Sequence, residues 1–367
     1  MYWIKQVPPI TDLLYKELSH SIQTWASELG FQQTGITDTA LAEHENHLER
    51  WLDHGNHGEM NYMALHGTRR SRPSELIPGT IRVISLRMDY LPEDDKILDT
   101  LDAPSTAYVS RYALGRDYHK IIKARLKKLE TKIKTFLEDH HLHGFTLRIF
   151  TDSAPVLEKA LAAKAGLGWI GKNTLLLNRK AGSWFFLGEI FTNIPLPINT
   201  LTATNRCGSC QACIDICPTK AITAPYQLDA RLCISYLTIE SRGTIPVELR
   251  PLMGNRIFGC DDCQLVCPWN RYARTTTEDD FKPRHGLKDA ELLDLFAWTE
   301  DEFLKKTEGS AIRRTGYNGW LRNISIALGN ANYDPEIIKA LKDKLAGVNE
   351  MVAEHISWAI EEQQNKN

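Results

Sequence analysis

The residues of this chain best suited to chemistry are its eight cysteines, all of which fall between Cys207 and Cys267. Cys207, Cys210, Cys213 and Cys217 form a C-x2-C-x2-C-x3-C run closed by Pro218, within "RCGSCQACIDICPTKAI". Thiolates at two-residue gaps let a tight loop wrap an iron–sulfur cubane, with amides turned to its sulfides. The fourth cysteine, at the start of a short helix opened by proline, crosses to a second cubane. A second group repeats the ending: Cys233, Cys260, Cys263 and Cys267 give C-x26-C-x2-C-x3-C, followed by Pro268. By the crossing rule, Cys207, Cys210, Cys213 and Cys267 hold one [4Fe–4S] cluster and Cys217, Cys233, Cys260 and Cys263 the other, with no cysteine left over. Zinc sites account for paired CxxC motifs but not for two x3-C-P endings. Disulfides need an oxidising compartment. Interleaved ligands place the clusters close together as a wire for single electrons, which does no bond-breaking alone. The 26-residue excursion "ISYLTIESRGTIPVELRPLMGNRIFG" inside the second group is expected to extend the cluster module towards the other domains.

The block "FTDSAPVLEKALAAKAGLGWIGKNTLLL" is the candidate for the far end of the wire. A strand ends at Asp152, a helix follows, and Gly166 stops it. An acid at a strand's end suits a catalytic group, and it suits a helix N-cap equally well. The loop Gly168–Thr174 is rich in glycine, which permits close backbone approach to a ligand, yet its spacing fits neither a P-loop nor a dinucleotide fingerprint. Lys172 and Asn173 either bind a ligand or stabilise the turn. In "YVSRYALGRDYHK", Arg111 and Arg116 precede His119, a lone histidine of the kind that is more often structural.

Stepping outward, residues 1–200 mix helices and strands. "TDLLYKELSHSIQTWASELG" has helical periodicity, and "RVISLRMDY", "FTLRIFTD" and "SWFFLGEIFTN" read as strands. "DYHKIIKARLKKLETKIKTFLEDHH" is a long helix with a core face of Ile122, Leu126, Leu129, Ile133 and Phe136. From Arg116 to Thr135 it carries eight Lys/Arg against two acids; that is either a solvated face or a grip on phosphates. The proline-bearing stretch "NIPLPINTLTATN" marks a boundary, so 1–200 is one domain, 201–285 a ferredoxin-like module, and 286–367 a helical domain. In the last, "RNISIALGN" and "EHISWAIEE" have the look of consecutive helix-pair repeats of HEAT type, with a small helical cap as the alternative.

The 367 residues carry a net charge of −2, so global charge gives no sign of a nucleic-acid binder. The first thirty residues lack a basic start and an apolar run, and no segment offers eighteen uninterrupted apolar residues. A soluble, cytoplasmic protein with reduced thiols, without membrane contact and monomeric, is expected.

Taken in order, "HGEMNYM", "SRYALGRDYHK", "DSAPVLEKALAAKAGLGWIGKNT", "LGEIFTN", "RCGSCQACIDICPTKAI" and "RGTIPVELRPLMGNRIFGCDDCQLVCPWN" resemble the epoxyqueuosine reductases over nearly the whole chain. The resemblance implies an α+β fold. Its parts are a nitroreductase- and reductive-dehalogenase-like cobalamin domain, a two-cluster ferredoxin-like module, and HEAT-like repeats that help hold tRNA. It implies reduction of epoxyqueuosine to queuosine at the wobble position of tRNAs with GUN anticodons. Electrons would come from an external one-electron donor of flavodoxin or ferredoxin type, through two [4Fe–4S] clusters, to base-off cobalamin. Asp152 matches the family's proposed general acid, and a pKa raised by burial is expected for it. Arg111, Tyr112, Gly168, Gly171, Lys172, Asn173 and Thr174 become candidate cofactor contacts. Lys120, Lys123, Lys127, Lys128, Arg313, Arg314 and Arg322 become candidate tRNA contacts.

Overall fold

The computed structural model describes residues 10–93, 97–199 and 203–367; the expected boundary at 200–201 lies outside the described residues. Four antiparallel strands, β1 (Gln33–Thr37), β2 (Arg82–Asp89), β3 (Leu147–Phe150) and β4 (Phe185–Thr192), form a sheet in the order β1-β2-β4-β3. The central strands β2 and β4 are buried along nearly their whole length; on β2 the apolar Ile84, Leu86 and Met88 alternate with Ser85, Arg87 and Asp89. Ile84, Leu86, Met88 and Ile190 face the helices α1 (Ile10–Glu28) and α2 (Tyr118–Asp139). Val83 and Phe191 face the opposite way, onto Ala160 and Leu161 of the short helix α3 (Glu158–Lys164).

The basic helix α2 starts where Asp117 accepts the His119 backbone N–H as N-cap. Ile122, Leu126, Leu129 and Ile133 are fully buried as expected, while Phe136 is half-buried, edge-on to Trp25. The helix lies close over β4 because residue 188 is glycine: a Cβ there would stand 2.9 Å from Ile122 Cγ2 and 3.0 Å from Leu126 Cδ1.

A second core joins three separated stretches. Tyr108–Val109 pairs in parallel with Arg256–Phe258. Val109, Ile257 and Phe258 then share a cluster with α4 (Ile234–Ile239) and with the C-terminal helices α5 (Gly316–Asn330) and α7 (Glu350–Asn365). Helix α6 (Pro335–Leu345) adds Ile337 and Leu341. Helix α5 is buried all round from Trp320 to Gly329, which makes it the axis of this core and not a surface helix. The stretch "DAELLDLFAWTEDEFLKKT" breaks into Leu292–Phe296 and Glu300–Lys306, because Thr299 and Glu302 form a capping box that starts a new helix. Among the described residues no helix is long and apolar enough to cross a membrane.

Candidate active site

The end of β3, the start of α2 and the cysteine segment enclose a cavity of about 1880 Å³, larger than the roughly 300–1,000 Å³ of ordinary small-molecule sites. Asp152, Tyr118 and His119 line it together with Cys217, Cys233, Cys260 and Cys263. Tyr112, Phe185 and Phe186 give it an apolar, aromatic side.

Asp152 lies six residues before α3, whose N-cap is Leu157, so it does not cap the helix. Its backbone is left-handed (φ 52°), an arrangement unusual for a side chain other than Gly, Asn or Asp. That conformation is held by the Asp152 N–H donating to Glu158 Oε1 at 2.5 Å. The carboxylate accepts from the Tyr118 hydroxyl and meets His119 Nε2 at 3.3 Å. His119 Nδ1 meets Asp117 Oδ1 at 2.8 Å on its other side. Tyr118 is clamped between the rings of His119 and Phe186, with centroids 4.1 and 4.0 Å away.

The electrostatics follow from these contacts. Burial pushes the Asp152 carboxyl up, but the hydrogen bonds from His119 and Tyr118 and the positive field of His119 and Arg314 outweigh it. The group is held below its ordinary value. This corrects the expectation of a raised pKa. Burial opposes charge on His119 too, yet its bonds to Asp117 and Asp152 push it up to about 9. At neutral pH the pair therefore holds one proton, on the imidazole. Beneath it lies a second couple. Glu189 on β4 is fully buried, and neither carboxyl oxygen has a donor. It meets the carboxyl of Glu158, which burial and then the Asp152 charge push up to about 8. Two carboxyls can bond only by sharing a proton, and burial raises Glu189 well above the usual range.

All eight cysteines are free thiols. Burial raises Cys213, and the thiols that act on it include Cys267, Cys207 and Cys210. Cys263 is raised by burial and then by Cys233, Asp261, Cys213 and Cys217, so the two groups of thiols lie within each other's reach. Backbone N–H groups of Tyr236 and Ser235 point at Cys233, and those of Trp269 and Asn270 at Cys267. Such donors favour thiolate and cluster ligation. Asp261 anchors this segment: its buried carboxylate accepts from the Tyr108 and Ser110 hydroxyls and from the Arg111 N–H, at 2.7–3.0 Å.

The other sequence candidates divide. Tyr112, Asn173 and Thr174 line the cavity. Arg111 does not: it is buried with its guanidinium 5.2 Å from the Tyr108 ring centroid. Gly168 and Gly171 do not line it either. A Cβ on Gly168 would collide with the Leu177 carbonyl, and one on Gly171 would lie 2.6 Å from Leu177 Cδ1. These glycines permit the tight Trp169–Ile170/Leu176–Leu177 hairpin. Lys172 points to the cysteine loop, where its Nζ donates to the carbonyls of Gly208 (2.7 Å) and Cys210 (2.9 Å). Of the basic candidates, Lys120, Arg313 and Arg314 line the cavity. Lys123 and Lys128 are exposed on α2, and Lys127 pairs with Glu130 at 2.8 Å. Arg322 is corrected: it is fully buried and donates to the carbonyls of Leu237, Ser241 and Gly243, so it offers nothing to a nucleic acid. Sequence reasoning set His119 aside as structural and passed over Glu158, Glu189 and Asp261. The signal for His119 was its place beside Asp117 and Tyr118 at a helix start. Nothing in the sequence paired Glu158 with Glu189.

Comparison with known proteins meets this geometry from outside. A family model described as epoxyqueuosine reductase QueG, DUF1730, matches residues 70–153, and one described as a 4Fe-4S double cluster binding domain matches residues 206–270, which contain all eight cysteines. An epoxyqueuosine reductase of Pseudomonas aeruginosa is 60% identical over 94% of this chain and 94% of its own. A crystal structure of epoxyqueuosine reductase with an epoxyqueuosine-modified tRNA-Tyr stem loop aligns with a TM-score of 0.80 at 24% identity, over 96% of this chain and 100% of that one. The Bacillus subtilis epoxyqueuosine reductase, solved with its catalytic aspartate loop swung out of the active site, aligns with a TM-score of 0.80 at 25% identity, over 95% and 99% of the two chains.

Proposed function

The chain belongs to the epoxyqueuosine reductase family of oxidoreductases, and from that premise we propose that it reduces epoxyqueuosine to queuosine at the wobble position of a GUN-anticodon tRNA. The observation that carries this reading is the single cavity whose walls hold an acid set, Asp152 with His119 and Tyr118, together with four cysteines of the double-cluster domain. The influence of Cys267, Cys207 and Cys210 on Cys213 supports one cluster on these four, and the shared cavity wall of Cys217, Cys233, Cys260 and Cys263 supports the other on the remaining four. Volume and an aromatic lining fit a corrin, with Tyr112, Asn173 and Thr174 as its protein contacts. Base-off cobalamin bound there would supply a metal able to collect two electrons and act on the epoxide carbon.

The remaining chemistry falls to the protein. Converting an epoxide to an alkene consumes two electrons and two protons and releases water. Asp152 touches the reacting oxygen, and His119, charged at neutral pH, supplies the proton to it through their hydrogen bond. Tyr118, stacked on Phe186, fixes the carboxylate's direction. Glu158 keeps the aspartate loop turned in, whereas the Bacillus subtilis relative was solved with its own catalytic aspartate loop swung out of the active site. Lys120, Arg313 and Arg314 at the cavity, with Lys123 and Lys128 along α2, are placed to grip phosphates around a splayed base. The helices from residue 286 onward, read as HEAT-like, carry two of these arginines and complete that surface. Mass spectrometry of digested tRNA from a deletion strain tests the reading. Epoxyqueuosine must accumulate, the reconstituted enzyme must convert it, and Asp152→Asn must keep its iron and sulfide but form no queuosine. Conversion at the native rate by that variant removes Asp152 from the mechanism.

A further inference from the structure

A second cavity, of about 520 Å³, shares no lining residue with the first. Four cations line it, Arg87, Arg179, Lys180 and Arg206, and among the described residues no Asp or Glu does. Arg179, Lys180 and Arg206 are exposed, and no ion pair engages them among the described residues. Deeper in, Arg87 is 6% exposed; its Nε faces Asp89 Oδ1 at 3.2 Å, while its Nη1 has no hydrogen-bond partner. The Trp169 indole N–H in the same wall is buried and likewise unpaired. Buried donors without acceptors are rare and mark a place where an acceptor arrives. This recess is therefore shaped for negative charge.

Its position says which negative charge. Arg206 directly precedes Cys207. Trp169 stands edge-on to Trp269 with ring centroids 5.1 Å apart, and the Trp269 backbone N–H points at Cys267. Lys172, three residues past Trp169, is tied to the Gly208 and Cys210 carbonyls. The recess thus borders the Cys207, Cys210, Cys213 and Cys267 group, in which Cys210 is exposed. Cys217, Cys233, Cys260 and Cys263 face the large cavity instead. Electrons that leave towards the cavity must enter at the other end.

We propose that this cationic recess is the docking site of the external electron donor, a small acidic one-electron carrier protein whose carboxylates meet Arg179, Lys180 and Arg206. The proposal rests on the electron route of the proposed function. Each encounter oxidises the carrier by one electron and reduces the adjoining cluster by one; no bond is made or broken, and two encounters serve one turnover. The bland reading, an ordinary solvated patch, predicts no preference for an acidic donor.

The test is stopped-flow reduction of the cluster-loaded enzyme by a reduced acidic flavodoxin and, separately, by photoreduced deazaflavin, a small reductant that needs no docking. In Arg179→Glu/Lys180→Glu, both exposed, iron and sulfide content should match the native protein. The flavodoxin rate constant should fall about tenfold or more, the range expected when steering charges are reversed, while the deazaflavin rate stays within about twofold. The native flavodoxin rate should also fall with added salt. Equal slowing with both reductants, an unchanged flavodoxin rate, or a native rate indifferent to salt overturns the proposal. Queuosine formation driven by deazaflavin is scored in the same samples. Product there, with unchanged flavodoxin reduction, sinks the docking site alone; no product from the native enzyme sinks the function alone.

Discussion

Replacing His119 by glutamine separates the two roles its contacts assign. The ring is 23% exposed and lies between two carboxylates, Asp117 and Asp152. Lifting it from 6.5 to about 9 corresponds to about 3 kcal/mol of preference for the charged form in the folded chain, shared between those partners. Because the folded value is the higher one, that stability is fully present below pH 6.5 and is lost as pH rises through 9. His119→Gln should therefore lose up to about 3 kcal/mol in urea unfolding at pH 6 and converge on the native protein near pH 10. Catalysis reads the same group differently. In the native enzyme, single-turnover queuosine formation should fall on a basic limb near pH 9, where the imidazolium gives up its proton. Without His119, Asp152 loses the first of the contacts that hold its carboxyl down, so the carboxyl should rise and the variant's basic limb should move to lower pH while some activity remains. A purely structural histidine would change stability but leave the limb in place. An unchanged limb in the variant, measured by mass spectrometry from pH 6 to 10, refutes the assignment of His119 as the proton reserve.

Glu158 titrates near 8 against an ordinary 4.5, so its contribution is present below pH 4.5 and is lost as pH rises through 8. Glu189→Gln removes a second carboxyl raised well above its ordinary value and leaves Glu158 an amide donor in its place. Urea unfolding should then show a flatter fall in stability between pH 5 and 8 than in the native protein, and an unchanged slope rules out the shared proton. Arg322→Met strands three buried carbonyls and should cost about 3 kcal/mol in urea unfolding, while tRNA affinity of the folded variant stays native; a weakened affinity would restore Arg322 as a contact. Lys120→Gln and Arg313→Gln should each reduce the slope of log affinity for the tRNA against log salt by about 0.7–0.9, as measured by filter binding, and a slope that does not move excludes that residue from the phosphate grip.

The strands, the basic helix and the cysteine runs were legible because each writes a local pattern. Apolar residues at 122, 126, 129 and 133 mark one face of α2, and the x3-C-P endings fix a spacing that few other sites need. Asp152 was legible as a position but not as an acid, since its ionisation depends on His119 and Tyr118, more than thirty residues earlier in the chain. The glycines at 168 and 171 misled for the converse reason. Permissiveness shows in the sequence, whereas the neighbour that demands it, here Leu177 across a hairpin, does not. Arg322 looked like a surface cation because its helix carries "RNISIALGN", and only the packing reveals that every side of that helix is covered.

The stretched gap between Cys233 and Cys260 is where these parts meet. The excursion supplies α4, whose Leu237 carbonyl accepts from Arg322, and the strand Arg256–Phe258, which pairs with Tyr108–Val109 from the first half of the chain. Asn323 of α5 bridges the two by donating to the Thr238 and Ile257 carbonyls, and Arg250 reaches Glu354 on α7 at 2.8 Å. Immediately after the strand come Cys260, then Asp261, whose carboxylate is locked to Tyr108, Ser110 and the Arg111 N–H, and then Cys263. Two cysteines on the cavity wall are thereby fixed to the same segment, 108–111, that leads through Tyr112 into Tyr118 and His119. In the proposed function, one short piece of backbone would set both the electron's point of exit and the proton's point of delivery. A gap of two residues could ligate iron equally well, but it could not span from the C-terminal helices to that segment.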